Sequence, residues 1–193
     1  MSDHGTASGG PSANVLASLT EAARKEGGSK RGGPPPVHLW NPPYCGEIDI
    51  VIRRDGTWIH EGTPIGRPGL VRLFASILKK EEGRFFLVTP VEKVGLRVED
   101  APFVAVDLER TEGGIAFETN VGDRVVADAD HPIRVELAPD GEPSPYVEVR
   151  RGLEALIDRK SFYRLVDMGE ERDGTFGVAS AGTFFPIIAA DRL

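Results

Sequence analysis

IDIVIRRDG, residues 48–56, and IRVELAPDG, residues 133–141, share one plan, and their reading sets the expected fold. Apolar residues stand at the first, third and fifth places: Ile48, Ile50 and Ile52 in one, Ile133, Val135 and Leu137 in the other. Alternation with a period of two marks a strand with one buried face, and a closing Asp-Gly pair is a preferred hairpin turn. After the first copy, Thr57-Trp58-Ile59-His60 reads as the returning arm.

Outward from these arms the order of elements repeats. PGLVRLFASILKK, residues 68–80, puts Leu70, Leu73, Phe74, Ile77 and Leu78 at helical spacings, with Pro68 at the favoured first position and Gly83 as the stop. RFFLV, residues 84–88, then reads as a buried strand closed by Pro90. In the second half RGLEALIDRK, residues 151–160, is expected to be a helix and FYRLVDM, residues 162–168, a strand. Gly69, Leu70, Leu73 and Phe74 thus answer to Gly152, Leu153, Leu156 and Ile157, and RFFLV answers to FYRLV. Amphipathic segments share such patterns cheaply, but matches that keep their order and spacing favour a duplicated strand-strand-helix-strand core. Two such units would meet at a cleft, and ligand pockets prefer such junctions.

The other segments after Pro90 are short alternating runs punctuated by Gly, Pro, Asn and Asp, which predicts a curled sheet or barrel with a helix packed on it. The class is therefore α+β. Residues 1–36 hold one short amphipathic run, Val15, Leu16, Leu19, Ala22 and Ala23, which Ser12 would cap and GGSKRGGPPP, residues 27–36, would end. Three regions follow: a helix on a flexible lead at 1–36, an α+β domain at 37–90 and a β-rich barrel-like domain at 91–193.

With 193 residues, 40% hydrophobic and 27% charged, the chain can bury a core without staples. Cys45 is the single cysteine and the four histidines are scattered, so neither an internal disulfide nor a closed Cys/His metal site is expected, and a reducing cytoplasm fits best. No run approaches the roughly 18 to 20 apolar residues a membrane helix needs. A net charge of −7 repels nucleic acid and anionic lipid alike. No Walker or Rossmann glycine loop, G-x-S-x-G elbow or H-E-x-x-H motif occurs. No cofactor and no catalytic residue are expected.

Two places suit a ligand. LWNPPYCGEIDI, residues 39–50, is a rigid aromatic and polar loop that would orient a planar molecule, and equally an aromatic plug over one end of a sheet. Arg67 precedes Pro68 at a predicted helix start, where a guanidinium beside the positive helix end suits a phosphate or carboxylate. With no anion, an arginine there costs only a few tenths of a kcal/mol. Arg150 and Arg151 precede the second predicted helix in the same manner. Lys93 is either a second cationic contact or half of a strand-surface ion pair. Cys45 reads as a small structural thiol, or as a redox-sensitive one if exposed.

Taken together, WNPPYCGEIDI (40–50), DGTWIHEGTPIGRPGLVRLFASIL (55–78) and FFLVTPVEKVGLRVEDAPF (85–103) resemble the bacterial family called domain of unknown function 1285. The likeness is specific from Trp40 to Phe103 and looser beyond. The resemblance implies a two-part fold with a duplicated core, a C-terminal part superficially like a pleckstrin-homology barrel, and a cleft for a nucleotide-like molecule in signalling. The WNPP, GTWxxxGTPIGR and TPVEK stretches fall on Trp40 to Pro43, Gly56 to Arg67 and Thr89 to Lys93. His60 stands where the family pattern has an aromatic, so no stacking role carries over to it.

The expected function is a cytoplasmic ligand-binding or signalling module for a small anionic ligand, nucleotide-based ones included, held at the junction of two units. The site residues are Asn41, Tyr44, Trp58, Arg67 and Lys93: Arg67 meets the anion, and Tyr44 or Trp58 stacks on a ring. The rivals are an enzyme on a nucleotide or phosphorylated substrate using Asp49, His60 or Glu61, and a protein-interaction module with an exposed β edge.

Overall fold

The computed structural model describes residues 11–27 and 33–190, and the chain divides into two units. The first takes the described residues up to 51 together with 58–97; the second takes 52–57 and everything from 98 onward. The division at Pro90 expected from the sequence leaves the strand Lys93–Val98 in the second domain, whereas that strand lies inside the first sheet.

The first unit begins with α1 (Pro11–Gly27). Leu19 and Ala23, one helical turn apart, are fully buried, so this helix is docked; the flexible lead expected around it falls on residues 1–10 and 28–32, outside the described residues. The side chain of Ser12 lies outside the described residues. Next come β1 (Tyr44–Ile52), β2 (Trp58–His60) and β3 (Thr63–Pro64). The Asp55-Gly56 turn joins β1 to β2 as expected: Asp55 accepts the Thr57 N–H at 2.9 Å, and Gly56 takes a φ of 85°.

Helix α2 (Pro68–Ser76) starts at its proline but stops at Ser76, short of the run to Lys80 that apolar spacing suggests. Residues 78–80 belong to β4 (Leu78–Glu81), which pairs with β5 (Arg84–Val88), and β6 (Lys93–Val98) follows. Glu82 and Gly83 both take positive φ, 48° and 78°, so Gly83 serves a two-residue hairpin turn rather than a helix end. Pairing along the hairpin outweighs the helical spacing of the same residues.

The second unit holds β7 (Phe103–Thr111), β8 (Gly114–Thr119), β9 (Arg124–Val126), β10 (Ile133–Leu137), β11 (Pro143–Arg150) and β12 (Leu153–Ile157). Then come α3 (Arg159–Asp167) and the strands β13 (Glu170–Arg172), β14 (Thr175–Ser180) and β15 (Thr183–Ala189). The helix expected over residues 151–160 is thus a strand, and the strand expected over 162–168 lies in a helix. Leu153, Ala155 and Ile157 are buried with a period of two, while Asp158 caps α3 by accepting the Ser161 N–H at 2.7 Å. Arg151 and Gly152 form the β11–β12 turn at φ 45° and 77°.

Both six-stranded sheets have the same order. The first runs β3-β2-β1-β6-β5-β4, and the second, read from its far edge, runs β9-β8-β7-β12-β11-β10. The architecture is α+β with a duplicated plan of two three-strand meanders. In the second sheet the first and last strands pair in parallel, Ala155 opposite Phe103 and Ile157 opposite Ala105. The correspondence differs from the one drawn by sequence pattern: β10, which holds residues 133–137, occupies the place of β4, and β7 occupies the place of β1. The second sheet curls into a half-barrel, bulged between Ala105 and Asp107 and between Glu148 and Arg150.

Trp58, Phe74, Ile50, Ile77 and Leu87 anchor the first core; Phe103, Phe117, Ile115 and Leu165 anchor the second. No described helix is long and apolar enough to cross a membrane.

Candidate functional site

An open groove of about 930 Å³ runs between α1 and α2. Leu16, Ala17 and Thr20 come from α1, Gly69, Leu70 and Leu73 from α2, and the charged members are Glu21, Arg24 and Arg67. Positions 16, 20 and 24 share a helix face because they are four apart, which lines the groove with one stripe of α1. Arg67 sits at the N-cap of α2 in extended backbone (φ −111°, ψ 100°) and its side chain does not cap the helix. Glu21 is engaged by Lys25 at 2.9 Å, and that ammonium holds its carboxyl below the usual range. Among the described residues, neither Arg24 nor Arg67 has a carboxylate or hydrogen-bond partner.

The backbone at the start of α2 offers little to an anion. Pro68 has no N–H, and the amides of Leu70 and Val71 both donate to the Arg67 carbonyl, at 3.0 and 3.2 Å. Beyond the single Gly69 amide, the groove's attraction for negative charge comes from its two guanidinium groups.

Tyr44 and Lys93 are brought together elsewhere, on a second surface of the first unit with Glu81, Glu82, Arg84 and Phe86, around about 700 Å³. Here the charges satisfy each other. Lys93 and Lys79 both bind Glu81, at 2.8 and 2.7 Å, and hold its carboxyl below its ordinary 4.5, Lys79 contributing most. Glu47 lies across Gly95, accepts from Tyr44, and pairs with Arg84 at 2.5 Å. Lys93 and Arg84 also cover the Phe86 ring, at 4.9 and 5.1 Å from its centroid. This lattice of ion pairs and rings closes the sheet face, and a ligand there would have to displace it.

The remaining sequence candidates separate. Trp58 is 1% exposed and stacks on Phe74, so it cannot stack on a ligand. Asn41 is exposed in the loop before β1 and lines neither surface. Cys45 is exposed, with its thiol donating to the Pro43 carbonyl at 3.3 Å. Arg150 and Arg151 precede a strand, not a helix; Arg150 pairs with Asp123 at 2.5 Å and lies over Phe103. Asp49 and Glu61 are both exposed, and the Glu61 N–H donates to the Asp49 carbonyl at 3.0 Å. Among the described residues no three His, Cys, Asp or Glu side chains gather as a metal site.

Arg24 is the residue that sequence reasoning missed. It lies in the last turn of α1, whose apolar positions were legible, but nothing in a linear pattern says that this helix packs on α2.

The chain matches two family models end to end: the N-terminal domain of DUF1285, a domain of unknown function, over residues 35–101, and the C-terminal domain of the same family over residues 102–187. It is similar to the crystal structure, at 2.50 Å resolution, of a DUF1285 family protein from Silicibacter pomeroyi DSS-3. The two are 59% identical with a TM-score of 0.83, and the match covers 90% of this chain and 96% of that one. A DUF1285 family protein from Shewanella baltica OS155, solved at 1.40 Å, is 33% identical with a TM-score of 0.51, over 62% of this chain and 91% of that one. No curated protein matches.

Proposed function

The chain belongs to the DUF1285 family, and from the groove between α1 and α2 we propose that it is a ligand-binding module, not an enzyme, that takes a small anionic ligand there. The observation that carries this reading is the pair of guanidinium groups, Arg24 and Arg67, lining one groove without partners among the described residues. In a chain of net charge −7, two unpaired cations over an apolar floor are a local inversion of the mean field. Such a site needs no second unit, since both helices belong to the first.

Nucleotide-based ligands keep the anion but lose the stacking partner. No aromatic lines the groove, Trp58 is in the core, and Tyr44 belongs to the self-satisfied surface. Two sheet edges are poor docking strands for the interaction-module rival: β13 is three residues of Glu-Glu-Arg, and β4 carries Lys79, Lys80 and Glu81. An exposed, unbridged Cys45 accords with a reducing cytoplasm, and the bacterial relatives accord with a bacterial source. A role in signalling follows if ligand occupancy is what the module reports.

The test is a thermal-shift screen with nucleotides, phosphorylated metabolites and carboxylates, repeated on Arg67→Ala and Arg24→Ala. A ligand at a hundred times its Kd stabilises by about 2.7 kcal/mol, several degrees for a chain of this size. A shift that vanishes in both variants is the expected result. No shift with any anion, or a shift indifferent to both arginines, removes the reading.

A further inference from the structure

Resting on that reading, we infer that the groove's ligand is a medium-chain aliphatic monocarboxylate, its carboxylate held by Arg24 and Arg67 and its chain laid on the floor between α1 and α2. Apart from Thr20, whose hydroxyl is spent on the Leu16 carbonyl at 2.7 Å, the floor is aliphatic, from Leu16 and Ala17 on one side to Leu70 and Leu73 on the other, with no ring to receive a planar base. Along α1 the lining runs from Leu16 to Arg24, about 12 Å of helix at 1.5 Å per residue. That length suits a chain of medium size, with the cationic end of the stripe at Arg24.

The donors do not make a built phosphate cradle. Phosphate sites at helix starts are built from several convergent backbone N–H groups, and here Pro68 has none while those of Leu70 and Val71 are spent on the Arg67 carbonyl. What remains is one amide, that of Gly69, and guanidinium, whose planar fork takes a carboxylate or a phosphate with two parallel hydrogen bonds. Glu21 is a further discriminator. Its carboxylate shares the lining and, although Lys25 pairs with it at 2.9 Å, keeps the groove from being strongly positive, which suits a monoanion better than a nucleotide di- or triphosphate.

Gly69 supplies the control. A Cβ built there meets nothing within 4 Å and its backbone is ordinary helix, so a large side chain can enter the groove without strain at its root. Gly69→Trp should occupy the floor and leave the fold intact.

Binding of hexanoate, octanoate and decanoate is measured by titration calorimetry below their micellar concentrations, beside 1-decanol, inorganic phosphate, ATP and phosphatidylglycerol vesicles. Each is repeated on Arg67→Ala and Gly69→Trp, with circular dichroism checking that both variants are folded. The expected result is affinity that rises about 2- to 4-fold per added CH₂, as burial of methylenes requires. It should fall at least 10-fold for 1-decanol and for Arg67→Ala, and be abolished by Gly69→Trp. If ATP or phosphate binds through Arg67 and decanoate does not, the aliphatic assignment is overturned while the anion reading stands. Binding to vesicles without binding to monomeric decanoate overturns it in favour of a membrane surface. If no anion binds, both readings fall together.

Discussion

The Trp58 and Phe74 rings stack 6.4 Å apart at 25°, one from β2 and one from α2, and they fasten the helix that carries Arg67 to its sheet. Both side chains are buried. Trp58→Ala should therefore cost about 3–5 kcal/mol, the range for removing a large aromatic from a core. Equilibrium urea unfolding is the measurement, and a loss below about 1 kcal/mol would mean that Trp58 is not the packing residue described.

Glu81 joins Lys79 and Lys93 in a bridge whose three side chains are each less than a third exposed. Because the two ammonium groups hold its folded-state carboxyl below the ordinary 4.5, the stabilisation is present above the unfolded-state value and is lost as pH falls through the folded-state one. Glu81→Gln should be less stable than the parent by roughly 1–2 kcal/mol at pH 7. That gap should close as pH falls below about 4.5 and through the lowered folded-state value, as protonation removes the charge from the parent as well. Urea midpoints of both proteins across that range decide it, and a gap that stays constant contradicts the bridge.

Ser180, 3% exposed, accepts the Ile115 N–H at 2.8 Å and donates to the Ala127 carbonyl at 2.6 Å, tying β14 to the second sheet. Ser180→Ala deletes only an oxygen but leaves a donor and an acceptor unmet, at about 1–3 kcal/mol for each buried group. Ser180→Thr keeps the hydroxyl but adds a methyl that a tight interior resists. Amide exchange at Ile115 should accelerate in the alanine variant; unchanged protection would show that water replaces the hydroxyl at no cost.

Much of the first unit was legible from local pattern. Alternation gave β1, Asp-Gly gave its turn, Pro68 gave the first residue of α2, and motif likeness gave the family, because each of these is decided by neighbours in the chain. The failures share one cause. Residues 151–160 and 78–80 have apolar residues that satisfy either period over so short a span, and the choice went to whichever backbone partner was waiting: β11 and β7 for β12, β5 for β4. Asp158 with Ser161, a cap and its donor, was the one local sign of the true start of α3.

The partners of charged groups were not legible along the chain. Of the two roles open to Lys93, a ligand contact or an ion pair, the fold takes the ion pair, with Glu81, and it gives Tyr44 to Glu47; Arg24 lines the same groove as Arg67 and has no partner among the described residues. The sequence alone determined the class, the turns and the family, since propensity and periodicity act over a few residues. Only the tertiary structure decided which cations are spent and which are free, because an ion pair depends on what lies within about 4 Å in space, and Arg24 and Arg67 stand 43 positions apart in the chain.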